Sequence, residues 1–288
     1  MASPRDDIPM ISCPSVQKQS IRSHYELSTV FYWLLWGRHI HHGLWHGTES
    51  PAVAAQQLTD TLCELAQIER GQSVLDVGCG MGGSSIHLAR QFGCQVTGVT
   101  LSQVQRTWAS TTARLTGVGN QTRFLRQDAE TLQIPDGSFD RVWSIECTEH
   151  LFDKPAFFRK VAHWLKPGGR VAICAWLAGD GLEETSRAQL VYDVCEGFVC
   201  PSLGSFDDYR GWMEEAGLRM ETTRDWTDQV AQTWEICRDR VARSRVRWLA
   251  RLVDQETVLF LDRFDTILEA YRTHAMRYGC LVATKPQA

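Results

Sequence analysis

The run Val74-Leu75-Asp76-Val77-Gly78-Cys79-Gly80-Met81-Gly82-Gly83-Ser84-Ser85 places an acid near the end of a β-branched strand, ahead of a glycine turn that opens a helix. Glycine has no Cβ, so such a turn lets a nucleotide-like molecule sit against main-chain N–H groups at the helix start. Gly78, Gly80 and Gly83 also satisfy the G-x-G-x-x-G spacing of dinucleotide binders. A dinucleotide site wants an acid at the end of the second strand to hold the ribose, and Gln95-Val96-Thr97-Gly98-Val99-Thr100-Leu101-Ser102 ends without one. That absence weighs against the alternative these glycines leave open, an NAD-dependent oxidoreductase. A second group, Ser144-Ile145-Glu146-Cys147-Thr148-Glu149-His150, closes a later strand with two carboxyl groups and an imidazole, side chains that move protons or steady charge. A third, Trp36-Gly37-Arg38-His39-Ile40-His41-His42-Gly43-Leu44-Trp45, mixes histidines with aromatic faces that can embrace a cation and exclude water. His39, His41 and His42 lack cysteine or carboxylate partners at zinc spacing, so no metal is expected.

These groups need a scaffold. Residues 52–66 carry helical apolar spacing through Val53, Leu58, Leu62 and Leu65, leading into a strand at Ser73–Val77. Alternation follows: helix Ser84–Phe92, strand Gln95–Val99, helix Ser102–Thr116, strands Thr122–Arg126 and Phe139–Ile145, helix Lys154–Leu165, strand Arg170–Trp176. Strand followed by helix, repeated, predicts an α/β fold with a seven-stranded, mainly parallel, Rossmann-like sheet covered by helices on both faces. Lys166-Pro167-Gly168-Gly169 is expected to stop a helix and turn the chain into the next strand. Beyond Trp176 the pattern predicts a helix over Phe206–Ala216, a strand over Leu218–Asp225, a long helical stretch over 229–271 and a last strand over Tyr278–Thr284. The expected organisation is a loose arm (1–20), an N-terminal helical and aromatic lid (21–66), a cofactor-binding core (67–177), and a remainder (178–288) with a helical substrate cap over about 227–277.

Hydrophobic residues at 43% and charged residues at 22% are ordinary globular values that allow a sizeable core. A net charge of -4 offers no general attraction to nucleic acid or anionic membrane, which leaves a small-molecule substrate as the expected partner. The ten cysteines are scattered without a C-x-x-C pair, as in reduced cytoplasmic proteins. The first twenty residues, with Asp6 and Asp7, lack the apolar core of a secretory signal, and no run of about twenty apolar residues suggests a membrane span.

The strand, the Asp-x-Gly-x-Gly loop and Gly98-Val99-Thr100-Leu101-Ser102-Gln103-Val104-Gln105 resemble the class I S-adenosylmethionine-dependent methyltransferases. Thr100-Leu101-Ser102 and Trp36-Gly37…His41-His42-Gly43 are similar to the tocopherol C-methyltransferase-like subgroup, and the resemblance runs from about Ser23 to about Pro286. It implies S-adenosyl-L-methionine as cofactor, with Asp76, Gly78, Cys79 and Gly80 at its methionine part. Thr100, Leu101 and Gln105 would serve the ribose, Asp128 and Ala129 the adenine, and Ile145 would add a contact. Gln105 as a solvated helix residue and Asp128 as a turn or N-cap aspartate remain alternatives. Methyl transfer is driven largely by the sulfonium, so the protein chiefly aligns the reactants. The catalytic candidates are then Glu146, able to stabilise a cation on an arene or alkene or to take a proton, and His150 as a base; Glu146 as a substrate contact only, with His150 packed beneath the loop, is the alternative. Tyr25, Trp36, His41, His42, Trp45 and Trp226 are the candidate acceptor contacts, although Trp226 and Trp234 equally suit ordinary core. The basic run from Arg238 to Arg251 reads first as a solvated helix face. The implied activity is methylation of a hydrophobic or aromatic small molecule, at carbon, in specialised or isoprenoid metabolism. N- or O-methylation of an amine or natural product is the alternative.

Overall fold

The computed structural model describes residues 11–36, 40–182, 186–243, 258 and 261–287, with the side chains of 28 and 30–36 outside that set. In chain order the elements are β1 (Ile11–Ser12), α1 (Lys18–Trp36), α2 (Pro51–Leu65), β2 (Ser73–Val77), α3 (Gly83–Phe92), β3 (Gln95–Thr100), α4 (Gln103–Leu115), β4 (Thr122–Arg126) and β5 (Phe139–Ile145). They continue with α5 (Lys154–Trp164), β6 (Leu165–Ala178), α6 (Ser186–Gly197), β7 (Ser202–Leu203), α7 (Phe206–Glu215), β8 (Arg219–Asp225), α8 (Thr227–Val230), α9 (Gln232–Arg243), α10 (Phe264–Arg272) and β9 (Met276–Thr284).

Seven strands form one sheet in the order β4-β3-β2-β5-β6-β9-β8, and β9 runs antiparallel to both its neighbours while the other pairs are parallel. The expected Rossmann-like α/β architecture is therefore present. Strand residues alternate between two apolar layers: Val74, Trp143, Ala172 and Val282 join one cluster, while their neighbours Leu75, Val142, Ile173 and Leu281 join the other. This period of two explains why the central strands read as continuous apolar runs, since both faces are buried. The strand order reverses between β2 and β5, and a crevice opens there beyond the carboxyl ends of the strands. Asp76 and Ile145 stand at those ends.

Three boundaries differ from expectation. The predicted arm is not loose from residue 11 onward, because β1 pairs with β7 and Cys13 and Val16 are buried, with the Cys13 N–H donating to Pro201 O at 2.8 Å. Lys166–Gly169 does not separate helix from strand; it is a bulge inside β6, where pairing with β5 jumps from Phe139↔Leu165 to Arg141↔Arg170. Gly168 takes φ +75° there, and its N–H donates to Lys285 O while Gly169 O accepts from Lys285 N, which ties the bulge to the C-terminus. Among the described residues, the long helical stretch before the last strand contains α8, α9 and α10, with a break between α8 and α9 at Ala231. Arg245, Arg247 and Arg251 of the basic run lie outside the described residues. Among the described residues no helix is long and apolar enough to cross a membrane.

Candidate active site

The glycine turn after β2 works through two different constraints. Gly78 has φ +76°, and a Cβ there would fall 2.3 Å from the Cys147 Cβ, so packing against the end of β5 demands glycine. Gly80 has φ +50° and nothing within 4 Å of where its Cβ would be, so it borders open space. That space is a cavity of about 360 Å³, counting its mouth. Its walls come from Asp76, Gly78, Cys79 and Gly80, from Met81, Gly83 and Ser84 at the start of α3, from Ile145, and from Ile40 and His41 of the N-terminal segment. Burial lifts the Asp76 carboxyl to about 7, only partly offset by the Ser85 hydroxyl donating to Oδ2 at 2.5 Å. A cationic amino group brought to this carboxyl would restore its charge, and free N–H groups lie at the helix start, so the donor set fits the amino-acid end of S-adenosylmethionine.

Beside it, at the ends of β3 and β4, Thr100 Oγ1 donates to Gln105 Oε1 at 2.7 Å, and Ser102 caps α4 by accepting from the Gln105 N–H at 3.2 Å. Gln105 is buried, not solvated, and Leu101 is half-buried next to it. Asp128 is already engaged: Oδ1 accepts the Glu130 N–H at 2.9 Å and Oδ2 accepts from Lys18 Nζ at 2.6 Å. The turn-aspartate alternative thus describes one of its oxygens. Ala129 is buried beside it. Burial alone would lower the Lys18 ammonium, but hydrogen bonds to Asp128 and Glu130 outweigh it and hold it raised. Lys18 and Glu26 were not legible as site residues. Glu26, from α1, accepts from Ser102 Oγ and from the Gln103 and Val104 N–H groups at 2.8–3.1 Å, thereby satisfying orphan donors at the start of α4. One helix therefore clamps the ends of both β3 and β4.

The second cavity adjoins the first at Ile40, and the consecutive residues Ile145 and Glu146 line one cavity each. It measures about 420 Å³, counting its mouth, with Tyr25, Trp176, Phe198 and Trp234 as aromatic walls and Glu146, Glu149 and His150 as polar ones. Glu146 adopts φ +51°, a left-handed conformation unusual outside glycine, and its Oε1 receives three donors. They are the His42 N–H at 2.8 Å, His42 Nδ1 at 2.9 Å and the Tyr278 hydroxyl at 2.7 Å. Burial opposes its charge, yet the His42 imidazole, His41 and the Tyr278 hydroxyl outweigh that and hold the carboxyl well below its usual range. The Trp234 indole N–H, which can only donate, meets His42 Nε2 at 2.6 Å, which assigns the imidazole proton to Nδ1, facing Glu146. His42 is thus the strut behind Glu146 and lines neither cavity.

His150 is placed differently from a base that meets the acceptor directly. Its Nδ1 lies 3.2 Å from Val199 O, an acceptor only, so Nε2 is the lone pair and takes the Tyr25 hydroxyl at 2.7 Å. Burial lowers the imidazole to about 4, so it is neutral at pH 7. The remaining expected acceptor contacts divide. Tyr25 lines the cavity, and His41 lines the cofactor cavity instead. Trp45 and Trp226 line neither; Trp45 Nε1 donates to Thr233 at 2.9 Å, and Trp226 packs in the core, as large apolar rings do when buried surface is available. The Trp36 side chain and His39 lie outside the described residues. Tyr278 and Trp176 were missed. A phenol and an indole inside otherwise apolar strands were the available signal.

The sequence profile of the family described as mycolic acid cyclopropane synthetase matches residues 14–278. The chain is 29% identical to the probable tocopherol O-methyltransferase, chloroplastic, of Oryza sativa subsp. japonica, over 95% of this chain and 80% of that protein. It is 32% identical to the 27-O-demethylrifamycin SV methyltransferase of Amycolatopsis mediterranei (strain S699), over 88% of this chain and 92% of that one. The fold superposes on the crystal structure of the [4+2]-cyclase SpnF with a TM-score of 0.85 at 24% identity, covering 99% of this chain and 100% of that one. With a glycine-loop cavity fitted to S-adenosylmethionine and a profile match along nearly its whole length, the chain belongs to the mycolic acid cyclopropane synthetase family and is an S-adenosylmethionine-dependent methyltransferase acting on small molecules.

Proposed function

We propose that the protein methylates carbon on a hydrophobic or aromatic small molecule of specialised or isoprenoid metabolism. The observation that supports this reading is the charge inventory of the acceptor cavity. Glu146 brings a carboxylate held in its ionised form, His150 is neutral, and among the described residues no lysine or arginine lines the cavity. The buried Lys154 is committed to Leu151 O and to Ser202 O and Oγ. A buried anion among aromatic faces favours a cation developing on an arene or alkene and disfavours a phenolate in the same place.

Asp76, Gly78, Cys79 and Gly80, with Thr100, Leu101, Gln105, Asp128, Ala129 and Ile145, would hold the cofactor, whose sulfonium methyl is the electrophile it supplies when bound. The protein's own part is then threefold. Ile40 and the aromatic walls keep water from the junction of the two cavities. Glu146, fixed by His42 and Tyr278, steadies positive charge on the acceptor. The Tyr25 hydroxyl oxygen accepts the departing proton as it hands its own proton to the lone pair of His150 Nε2, which leaves the charge on the imidazole.

O-methylation is the second reading, favoured by that same Tyr25–His150 pair, which suits removal of a proton from a hydroxyl group, and by the relative named for tocopherol O-methylation. Free thiols at all ten cysteines support a reducing compartment such as the cytoplasm. Incubation with carbon-13-methyl S-adenosylmethionine and a metabolite extract, followed by NMR of the labelled product, tests the proposal. A methyl bonded to carbon upholds it, a methyl on oxygen or nitrogen establishes the alternative, and no label in any small molecule rejects both.

A further inference from the structure

Two buried polar groups in the acceptor cavity have no hydrogen-bond partner among the described residues: both oxygens of the Glu149 carboxyl, and the Nε1–H of Trp176. Glu149 is 1% exposed and Trp176 is 7% exposed, and both line the cavity. They arrive from different elements, Glu149 from the turn after β5 and Trp176 from near the end of β6. The backbone N–H groups of Glu149 and Trp176 lean on the carboxyl enough to moderate its charge, without reaching hydrogen-bond geometry, which brings the two residues side by side. Leaving a buried polar atom unsatisfied costs about 1–3 kcal/mol. Two such groups on residues that line one cavity therefore call for a ligand that pairs with both.

The chemistry of that ligand follows from the donors. The indole N–H only donates. Burial, and then the charge of Glu146, raise the Glu149 carboxyl to about 8, so near neutral pH it both donates and accepts. An ammonium group would meet the indole donor with another donor. A carboxylate would be repelled by Glu146. A carbonyl oxygen can accept from both but leaves nothing to donate to Glu149 once its proton is lost. A hydroxyl group has one proton and two lone pairs, and it satisfies the indole and either form of the carboxyl. We propose that Glu149 and Trp176 form an anchoring subsite for a hydroxyl group on the acceptor, an inference that rests on the methyltransferase reading above. On an arene, a hydroxyl held this way also enriches the ring in electrons for attack by carbon.

The test uses the full chain with S-adenosylhomocysteine and two probes of matched shape, 2-naphthol and 2-methylnaphthalene, titrated into wild type, Glu149→Leu and Trp176→Phe. Wild type is expected to bind the naphthol at least about 10-fold more tightly than its methyl counterpart, and each substitution to bring that ratio toward one. Equal binding of the two probes by wild type, no detectable binding of the naphthol, or a preference undiminished in both variants overturns the subsite. Unliganded Glu149→Leu is expected to melt at or above the wild-type temperature, because an unpartnered carboxyl has been removed; a large fall would reveal a structural partner and overturn it too. Failure of wild type to bind S-adenosylhomocysteine overturns the methyltransferase reading and the subsite with it. Binding of the nucleoside without a hydroxyl preference overturns the subsite alone.

Discussion

Glu149→Gln exchanges a titrating carboxyl for a neutral group of the same shape at a position that is 1% exposed. In the folded protein burial, followed by the charge of Glu146, raises this carboxyl from its usual 4.5 to about 8. Between those values the folded state retains a proton that the unfolded state has lost. Any stability tied to the group is thus fully present below about pH 4.5 and is lost as pH rises through the folded value. At about 1.4 kcal/mol per pH unit the ceiling on that loss is about 5 kcal/mol, with roughly 3 kcal/mol of it arising between about pH 5 and pH 7. Glutamine does not titrate, so the variant lacks this slope. Urea unfolding followed by tryptophan fluorescence between about pH 5 and pH 9 should show the stability of Glu149→Gln rising relative to wild type by about 1 kcal/mol per pH unit, then levelling above about pH 8. Asp76, raised to about 7 by burial, and His150, lowered to about 4, tilt both proteins alike and cancel in the difference. Parallel profiles would refute the claim that Glu149 is a buried carboxyl without a compensating partner.

Gly80→Val should weaken S-adenosylhomocysteine binding by about 100-fold or more in calorimetry, since a branched side chain enters the open space beside the loop; unchanged affinity would place the cofactor elsewhere. Gly78→Ala should lower stability by about 2 kcal/mol or more in thermal unfolding, because the new Cβ would meet Cys147 at 2.3 Å in a backbone conformation that alanine resists. Glu146→Gln should reduce turnover of labelled cofactor by about 10²-fold while its dissociation constant stays within about threefold of wild type, and equal losses in both would make Glu146 a binding residue only. His150→Ala and Tyr25→Phe should each slow turnover, and the double variant should lose little more than either single one if the pair acts as a unit; full additivity in a double-mutant cycle would separate them.

The sequence by itself determined the features whose cause is local. Alternating strand and helix periods specify a layered α/β sheet because each element needs its own apolar face, and the loop from Asp76 to Gly83 can be read because its residues are contiguous and glycine has few reasons to recur at that spacing. The strand ends that form the crevice were legible for the same reason. Which side chains meet there was decided only by the tertiary structure. Glu146 is held by His42 and Tyr278, 104 and 132 residues away, His42 by Trp234 at a separation of 192, and Asp128 by Lys18 at a separation of 110. No period or spacing encodes partners at that distance. Glu149 shows the limit most plainly: it stands in the same short motif as Glu146, yet one carboxyl meets three donors and stays charged while the other, among the described residues, meets none in hydrogen-bond geometry and keeps its proton near neutral pH. Charge in a buried site depends on desolvation and on which dipoles point inward, and both are properties of the packed fold rather than of neighbours along the chain.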